Sequence, residues 1–475
     1  MNQNLFSRRR QTKRKQKQKR HHNNDFLDSV QETTQDRTLD ILSLSHEGRG
    51  IAKFNGKTQF VDGALPGETV IAKILSCHTS YDELQAVEIL KPADDRIEPF
   101  CPHFEQCGGC SLQYLDSASQ LAHKESVLRE QLSHFGQLDL NPTGQLNVGH
   151  WLDPIRSERQ AYRSKARLGV YFDSSRNSLI IGFREKRSKS LTPISQCPVL
   201  QHDIARLVPL LPELVAALDD PHSVSHIELA AGDSQAAIVI RHQKAFTSRD
   251  MYALETFSKE QAVAIFSQGE GDQSAVNLFG SRSTLNYSLA AGDAQKHIHL
   301  EFHPQDFTQV NSRVNQAMVN KALEELALSD HERALDLFCG LGNFTLPMAL
   351  QCAEVTGIEG VKALVQRATE NAQQNDIHNV SFYKADLFSD FRSAAWANRT
   401  YDKILIDPPR AGALAVVNYL QYFNATRIVY ISCNPATLAR DAGILAKHGY
   451  RLEKAGVMDM FPNTAHVESI AVFVR

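Results

Sequence analysis

The spacing of apolar residues changes along the chain. Between residues 38 and 91 apolar and polar positions alternate in short runs such as Ile51–Phe54 and Thr58–Val61, a period of two that predicts half-buried strands. Asn55-Gly56 joins this pair and predicts a tight hairpin, because both of its turn residues need positive φ. Asp62–Val70 predicts another turn and strand, and Tyr81–Leu90 a last one, closed by Lys91-Pro92. Ser111–Phe135 shifts to helical spacing, with Leu121, Val127, Leu128 and Leu132 among its apolar positions. From 150 to 300 short strand-like runs return (Ala166–Phe172, Leu179–Phe183, Ala236–Ile240, Val263–Ser267), separated by turns. Beyond 301 a helix carries Val314, Met318, Ala322 and Leu326 on one face. Apolar runs at Ala334–Leu337, Val355–Ile358, Val380–Lys384, Lys403–Ile406 and Ile428–Ile431 then alternate with helical stretches at 361–375, 412–421 and 436–447. Strand–helix alternation of this kind predicts an α/β, doubly wound, Rossmann-like sheet. A final strand is expected at Ile470–Val474.

This divides the chain into a basic arm (1–35), a small all-β domain (36–92), a mixed α+β domain (93–300) whose helix at 111–135 is free to pack on the next, and the α/β domain (301–475). About three folded domains also fit the length. Five or so strands in so short a stretch suggest an OB-like barrel, a frequent nucleic-acid platform. The run HEGRGIAKFNGKTQFVDGALPGE resembles the TRAM domain carried by RNA-modifying enzymes. Composition changes this picture in one respect. The net charge is −3, yet positions 1–20 hold nine Lys and Arg and no acid, which leaves 42 basic residues against 54 acids, net −12, over the rest. The arm reads as disordered and suited to charge-driven contact with nucleic acid. No apolar run approaches the ~20 residues needed to cross a bilayer, and the basic N-terminus lacks the apolar core of a secretory signal. Eight unevenly placed cysteines, most without close partners, argue for a reducing cytoplasm. A monomer is expected.

Two constellations carry chemistry. The first is Cys101-x5-Cys107-x2-Cys110, where glycines let several thiolates converge on one centre, with Cys197 of Ser195-Gln-Cys197-Pro198 the best fourth ligand. Cys77, in a strand of the barrel, is the other candidate, and His103 carries little weight beside four thiols. Zinc prefers paired knuckles, so a triplet plus a remote cysteine before proline is more like a [4Fe–4S] site. The second lies at the carboxyl ends of the α/β strands, where ligands bind in open sheets. Gly340 and Gly342 mark a strand-to-helix turn. Glu359, 17 residues past Gly342, has the spacing of an acid that accepts from ribose hydroxyls. Asp386, Asp407 of Asp-Pro-Pro-Arg and Cys433 end the next three strands, while Cys339 and Cys352 read as packing.

LDLFCGLGNFTLPMA, DPPR and SCNPATLARD together resemble the S-adenosylmethionine-dependent RNA uracil-C5 methyltransferases, and with the barrel and four cysteines the branch that acts on 23S rRNA. The resemblance runs from about residue 38 to the C-terminus. It implies S-adenosylmethionine and a [4Fe–4S] cluster as cofactors, 23S rRNA as partner, and Gln309, Phe338, Asn343, Glu359, Asp386 and Asp407 as cofactor-binding positions. It also implies Cys433 as the nucleophile that adds to uracil C6 and Glu468 as the base, with His466 nearby. Methylation of tRNA or of another rRNA site, a non-catalytic RNA-binding relative, and an electron-transfer or radical enzyme using the cluster are the competing readings.

Overall fold

The computed structural model describes residues 36–135, 150–173, 178–271, 274–280, 282–291 and 296–475; the expected basic arm lies outside them. The chain forms two compact units: one runs to Glu98 and takes in Tyr114–Asp116, and the other holds Pro99–Gln113 and Ser117–Arg475.

The first unit is a six-stranded sheet of β1 (Arg37–Asp40), β2 (Ser43–Leu44), β3 (Gly50–Phe54), β4 (Lys57–Asp62), β5 (Thr69–Cys77) and β6 (Tyr81–Lys91), in the order β1-β5-β6-β4-β3-β2. The β3–β4 turn is the expected hairpin, with Asn55 at φ 50° and Gly56 at φ 80°. Leu39, Ile41, Ala52, Val61, Val70, Ala72 and Leu84 fill its core. The buried Asp82 carboxylate sits beside Arg37 (2.8 Å) and Lys57 (2.6 Å).

The second unit contains two large sheets. In the first, β8 (Lys165–Asp173), β9 (Ser178–Arg184), β10 (Leu191–Pro193), β11 (Val224–Ala231), β12 (Ala236–His242), β13 (Val263–Gln268) and β14 (Val276–Phe279) lie in the order β10-β9-β8-β11-β12-β13-β14. A hairpin of β15 (Leu285–Ala291) and β16 (Lys296–Phe302) follows. The second sheet contains β17 (Arg333–Leu337), β18 (Glu354–Glu359), β19 (Val380–Lys384), β20 (Lys403–Ile406), β21 (Arg427–Ser432), β22 (Arg451–Met458) and β23 (Glu468–Val474). Its order is β19-β18-β17-β20-β21-β23-β22-β7, where β7 is the two-residue strand His150–Trp151. The five expected strands are parallel, and β23 runs antiparallel to both β21 and β22. β22 went unread because Glu453 and Lys454 interrupt its apolar pattern.

Helix α1 (Ser117–Phe135) starts six residues later than its pattern suggests. The reason is that the amides of Ser111 and Leu112 both donate to the Asn463 carbonyl (2.9 Å each), so this stretch is held by the far end of the chain. Leu121, Val127, Leu128 and Leu132 are buried with Leu438, Ala442 and Leu445 of α2 (Pro435–Lys447). The helix expected at 412–421 is a shorter α-helix, Leu414–Tyr419, continued as a 3-10 helix to Phe423. Among the described residues no helix is long and apolar enough to cross a membrane.

Candidate active site

β21 is a buried apolar strand that runs to Ser432, and Pro435 then opens α2 with the Asn434 side chain capping the Ala436 amide (3.1 Å). Cys433 is therefore pinned between strand end and helix start. β23 brings a second group to the same place. Its register pairs Ser469 with Ser432, and the Ser469 hydroxyl donates to the Ser432 carbonyl (3.1 Å). The residue before Ser469, the buried Glu468, is thus set against the residue after Ser432. Burial pushes the Cys433 thiol up to about 11, the negative charges of Glu468 and Asp407 add to this, and Arg410 opposes it. Burial also raises Glu468 well above the usual carboxylate range; Asp407 raises it further, while Arg410 and Lys124 oppose the rise. Burial lifts Asp407 to about 7. Cys433, Glu468, Asp407 and Arg410 thus form one electrostatic group at the strand ends.

The glycine turn after β17 is strained. Phe338 has φ 67°, a conformation that costs a bulky L residue about 1–3 kcal/mol and that clusters at functional sites. Gly342 follows at φ 97°. Glu359 ties this turn to β18: its carboxylate accepts from the Gly340 amide (3.2 Å) and the Val361 amide (2.8 Å). Each oxygen keeps a second lone pair for a ligand hydroxyl. Asp386 accepts from the Phe388 amide (3.0 Å) and the Ser389 hydroxyl (2.5 Å), which hold its carboxyl below the usual range. Asn343 differs from expectation in how its amide is used. It exchanges two hydrogen bonds with Asn315 (3.0 Å each) and accepts from the Tyr287 hydroxyl (2.8 Å), so three of its four bonding positions serve the protein. Gln309 is half-buried just ahead of Asn311, which caps the helix Ser312–Leu326. Asp336, one strand position before Leu337, was not anticipated. It is fully buried, its Oδ2 accepts from Thr345 (2.5 Å), and its Oδ1 has no partner among the described residues. A buried unpaired acceptor beside a glycine turn suits a ligand that carries donors. Cys339 and Cys352 are buried packing residues.

The loop 459–467, which leads to Glu468, is held from outside the C-terminal strands. Lys124 on α1 donates to Asp459 (2.6 Å) and to the Phe461 carbonyl (2.9 Å). Gln120 accepts the Asn463 amide (2.8 Å), Arg159 exchanges two bonds with the Asn463 side chain (2.9 and 2.8 Å), and the Tyr162 hydroxyl donates to the Pro462 carbonyl (3.2 Å). None of these residues was singled out from the sequence. The available signal was Lys124, a lysine on the same helical stripe as Leu121 and Leu128.

The cysteine loop adjoins this clasp through Ser111, whose hydroxyl accepts the Ala465 amide (3.3 Å). Cys101, Cys107, Cys110 and Cys197 are unpaired and partly exposed. Burial raises Cys110 to about 11 and Cys197 to about 12, and the charges of the other cysteines of the set add to both. Amide donors face the sulfurs: Gly109 N–H on Cys107 (3.4 Å), Val199 N–H on Cys197 and the Gln113 side chain on Cys110. Gly108 is required, because a Cβ there would lie 2.9 Å from the Arg184 carbonyl. His103 is a tie and not a free donor, since its Nε2 accepts the Ser195 amide (3.2 Å). Cys77 belongs to the other compact unit, at the exposed end of β5. Among the described residues no three His, Cys, Asp or Glu side chains are gathered tightly enough to hold a single metal ion. Of the alternating cations Arg163, Lys165 and Arg167, Lys165 turns inward to the Asp306 carbonyl (2.5 Å), so the three do not offer one basic face.

Comparison with known proteins gives consistent matches. The family described as tRNA (Uracil-5-)-methyltransferase matches residues 117–475, and the TRAM domain matches residues 31–82. The chain is 47% identical over 445 residues to the 23S rRNA (uracil(1939)-C(5))-methyltransferase RlmD of Hahella chejuensis, covering 92% of this chain and 97% of that protein. It is 42% identical to the protein of the same name from Vibrio cholerae, covering 93% and 96%. The crystal structure of Pyrococcus abyssi tRNA (uracil-54, C5)-methyltransferase in complex with S-adenosyl-L-homocysteine superposes with a TM-score of 0.69 at 22% identity, over 92% of this chain and 100% of that one.

Proposed function

This chain belongs to the tRNA (uracil-5-)-methyltransferase family, alongside the RlmD enzymes, and on that premise we propose how its residues act. It transfers a methyl group from S-adenosylmethionine to C5 of a uridine in 23S rRNA. The observation that carries the mechanistic reading is the β21–β23 register, which sets Glu468 against Cys433 beside Asp407.

Uracil C5 is a weak nucleophile. The Cys433 thiolate adds to C6 and makes C5 electron-rich, and C5 then takes the methyl group as the methyl–sulfonium bond breaks and S-adenosylhomocysteine leaves with its electron pair. Glu468 removes the C5 proton, the electrons of that bond restore the C5–C6 double bond, and the C6–S bond breaks to release the thiolate. A covalent path of this kind replaces one hard step by easier ones. Burial raises the proton affinity of Glu468, so that once ionised it is a strong base for the C5 proton. Bound S-adenosylmethionine supplies the electrophilic methyl group. Glu359 would accept from its ribose, Asp386 would lie at its base, and Phe338, Gln309, Asp407 and the unpaired Asp336 oxygen would line its site. Asn343 would act by fixing the glycine turn, since its amide is engaged by Asn315 and Tyr287.

Cys101, Cys107, Cys110 and Cys197 would hold a [4Fe–4S] cluster. The donor set fits, with four free thiols, of which Cys107, Cys110 and Cys197 are raised by burial and by the neighbouring cysteines and carry amide donors on their sulfurs. When bound, the cluster would brace the loop that reaches Asn463 through Ser111. The six-stranded unit is read as an OB-like barrel that contacts RNA, and a cytoplasmic monomer fits the whole.

The test is Glu468→Gln with a 23S rRNA fragment. It should accumulate a covalent protein–RNA adduct, seen as a slow band on denaturing gels. Free turnover without adduct would refute Glu468 as the base. Mapping 5-methyluridine on rRNA from cells lacking this gene identifies the nucleotide.

A further inference from the structure

Lys124 lies among the buried apolar positions of α1 and is itself fully buried. Its ammonium donates to Asp459 Oδ1 (2.6 Å) and to the Phe461 carbonyl (2.9 Å), the two acceptors at the point where β22 ends and the 459–467 loop begins. A buried lysine–carboxylate pair contributes little to stability compared with apolar residues of the same volume. Its usefulness must therefore lie in what it positions or charges.

The other end of the same loop is Glu468. The charged or titratable groups facing it are Asp407 and Arg410 from the turn after β20, Cys433 from the end of β21, and Lys124 from α1, with Asp459 bound to Lys124. Two of these are cations. Arg410 opposes the rise of Glu468 more than Lys124 does but is exposed to solvent, whereas Lys124 is buried and held in place by Asp459.

We propose that Lys124 is a positioning residue for proton removal: it fixes the loop that ends in Glu468 and provides the buried positive charge that keeps Glu468 available as a base. The proposal rests on the reading of Glu468 as the base. In this step Glu468 takes the C5 proton, the C5–H electrons form the C5–C6 double bond, and sulfur leaves C6 with its bonding pair. Burial and Asp407 favour the protonated acid, which cannot accept that proton, and loss of the Lys124 charge moves the balance further that way.

The test uses the full-length protein with Lys124→Met and with Lys124→Met/Asp459→Leu, which removes both charges and leaves no buried carboxylate alone. Adduct formation and decay on an rRNA fragment are followed on denaturing gels from neutral to alkaline pH, with S-adenosylmethionine binding by calorimetry. We expect binding and adduct formation within about threefold of the unmodified protein, and adduct decay slowed about tenfold or more at neutral pH but recovering as pH rises. Unchanged decay, slow decay that alkaline pH does not rescue, or a joint loss of binding and adduct formation in both variants would each overturn the proposal. Glu468→Gln, run in parallel, separates the two ideas. If it releases adduct normally, the base assignment fails; if it traps adduct while the Lys124 variants do not, only the role of Lys124 fails.

Discussion

Asn463 is a single point through which the Glu468 loop can be loosened by a calculable amount. It is fully buried and sits at φ 65°. Its side chain accepts from Arg159 Nε (2.9 Å) and donates to the Arg159 carbonyl (2.8 Å), while its backbone is held by Gln120, Ser111 and Leu112. Asn463→Gly removes the two side-chain bonds but accepts the backbone conformation. A charge-assisted bond contributes about 2 kcal/mol and a neutral one about 1 kcal/mol, so the cost is about 3 kcal/mol. Asn463→Ala loses the same bonds and adds the left-handed penalty of about 1 kcal/mol. Global unfolding of a chain with two compact units is a poor measure of this, because it need not be two-state. Hydrogen exchange of the Asn463 and Ala465 amides reports the local opening directly. The glycine variant should exchange about two orders of magnitude faster than the unmodified protein, and the alanine variant about fivefold faster again. Equal rates in the two variants would refute the conformational constraint. Rates within about threefold of the unmodified protein in both would show that Arg159 and Asn463 do not hold the loop.

Cys433→Ala should abolish methyl transfer and leave S-adenosylmethionine binding within a few-fold by calorimetry; retained activity would refute covalent catalysis. Because burial and the charges of Glu468 and Asp407 raise the Cys433 thiol to about 11, its alkylation by iodoacetamide should climb with pH towards that value, and Asp407→Asn should speed it at fixed alkaline pH. In the first compact unit burial works to raise Asp82, but Lys57, Arg37 and Gln59 overcome it and hold the carboxyl at about 2. The group contributes about 2 kcal/mol that is present above the unfolded value near 3.8 and lost as pH falls through about 2, so Asp82→Asn should lower thermal stability at neutral pH and make no difference in strong acid. Anaerobically purified protein should be brown and contain about four irons per chain; stoichiometric zinc without iron would contradict the cluster.

The C-terminal sheet was readable because its central parallel strands, buried on both faces, leave apolar runs, and Lys403–Ile406 matches its expected limits. The Asn55-Gly56 turn was readable because its chemistry is local. What could not be read depends on partners far away in sequence. The delayed start of α1 follows from the hold that Asn463 has on Ser111 and Leu112. β7 is a strand only because β22 lies beside it. At the site, Cys433 and Glu468 stand in recognisable runs, yet their apposition rests on a ladder between residues 432 and 469. The saturation of Asn343 by Asn315 and Tyr287 likewise has no local signature.

The seat of α1 has a consequence for synthesis. Lys124 and Asp459 are 335 residues apart along the chain. At roughly 5–20 residues per second a ribosome needs roughly 15–70 s to make the intervening segment. Throughout that interval the helix has been made and its socket has not. Its leucines face water or a chaperone, and they do so beside an ammonium group that keeps the stripe from being wholly apolar. The lysine that is costly to bury in the finished enzyme is, for the nascent chain, a solubilising residue in the middle of an apolar stripe.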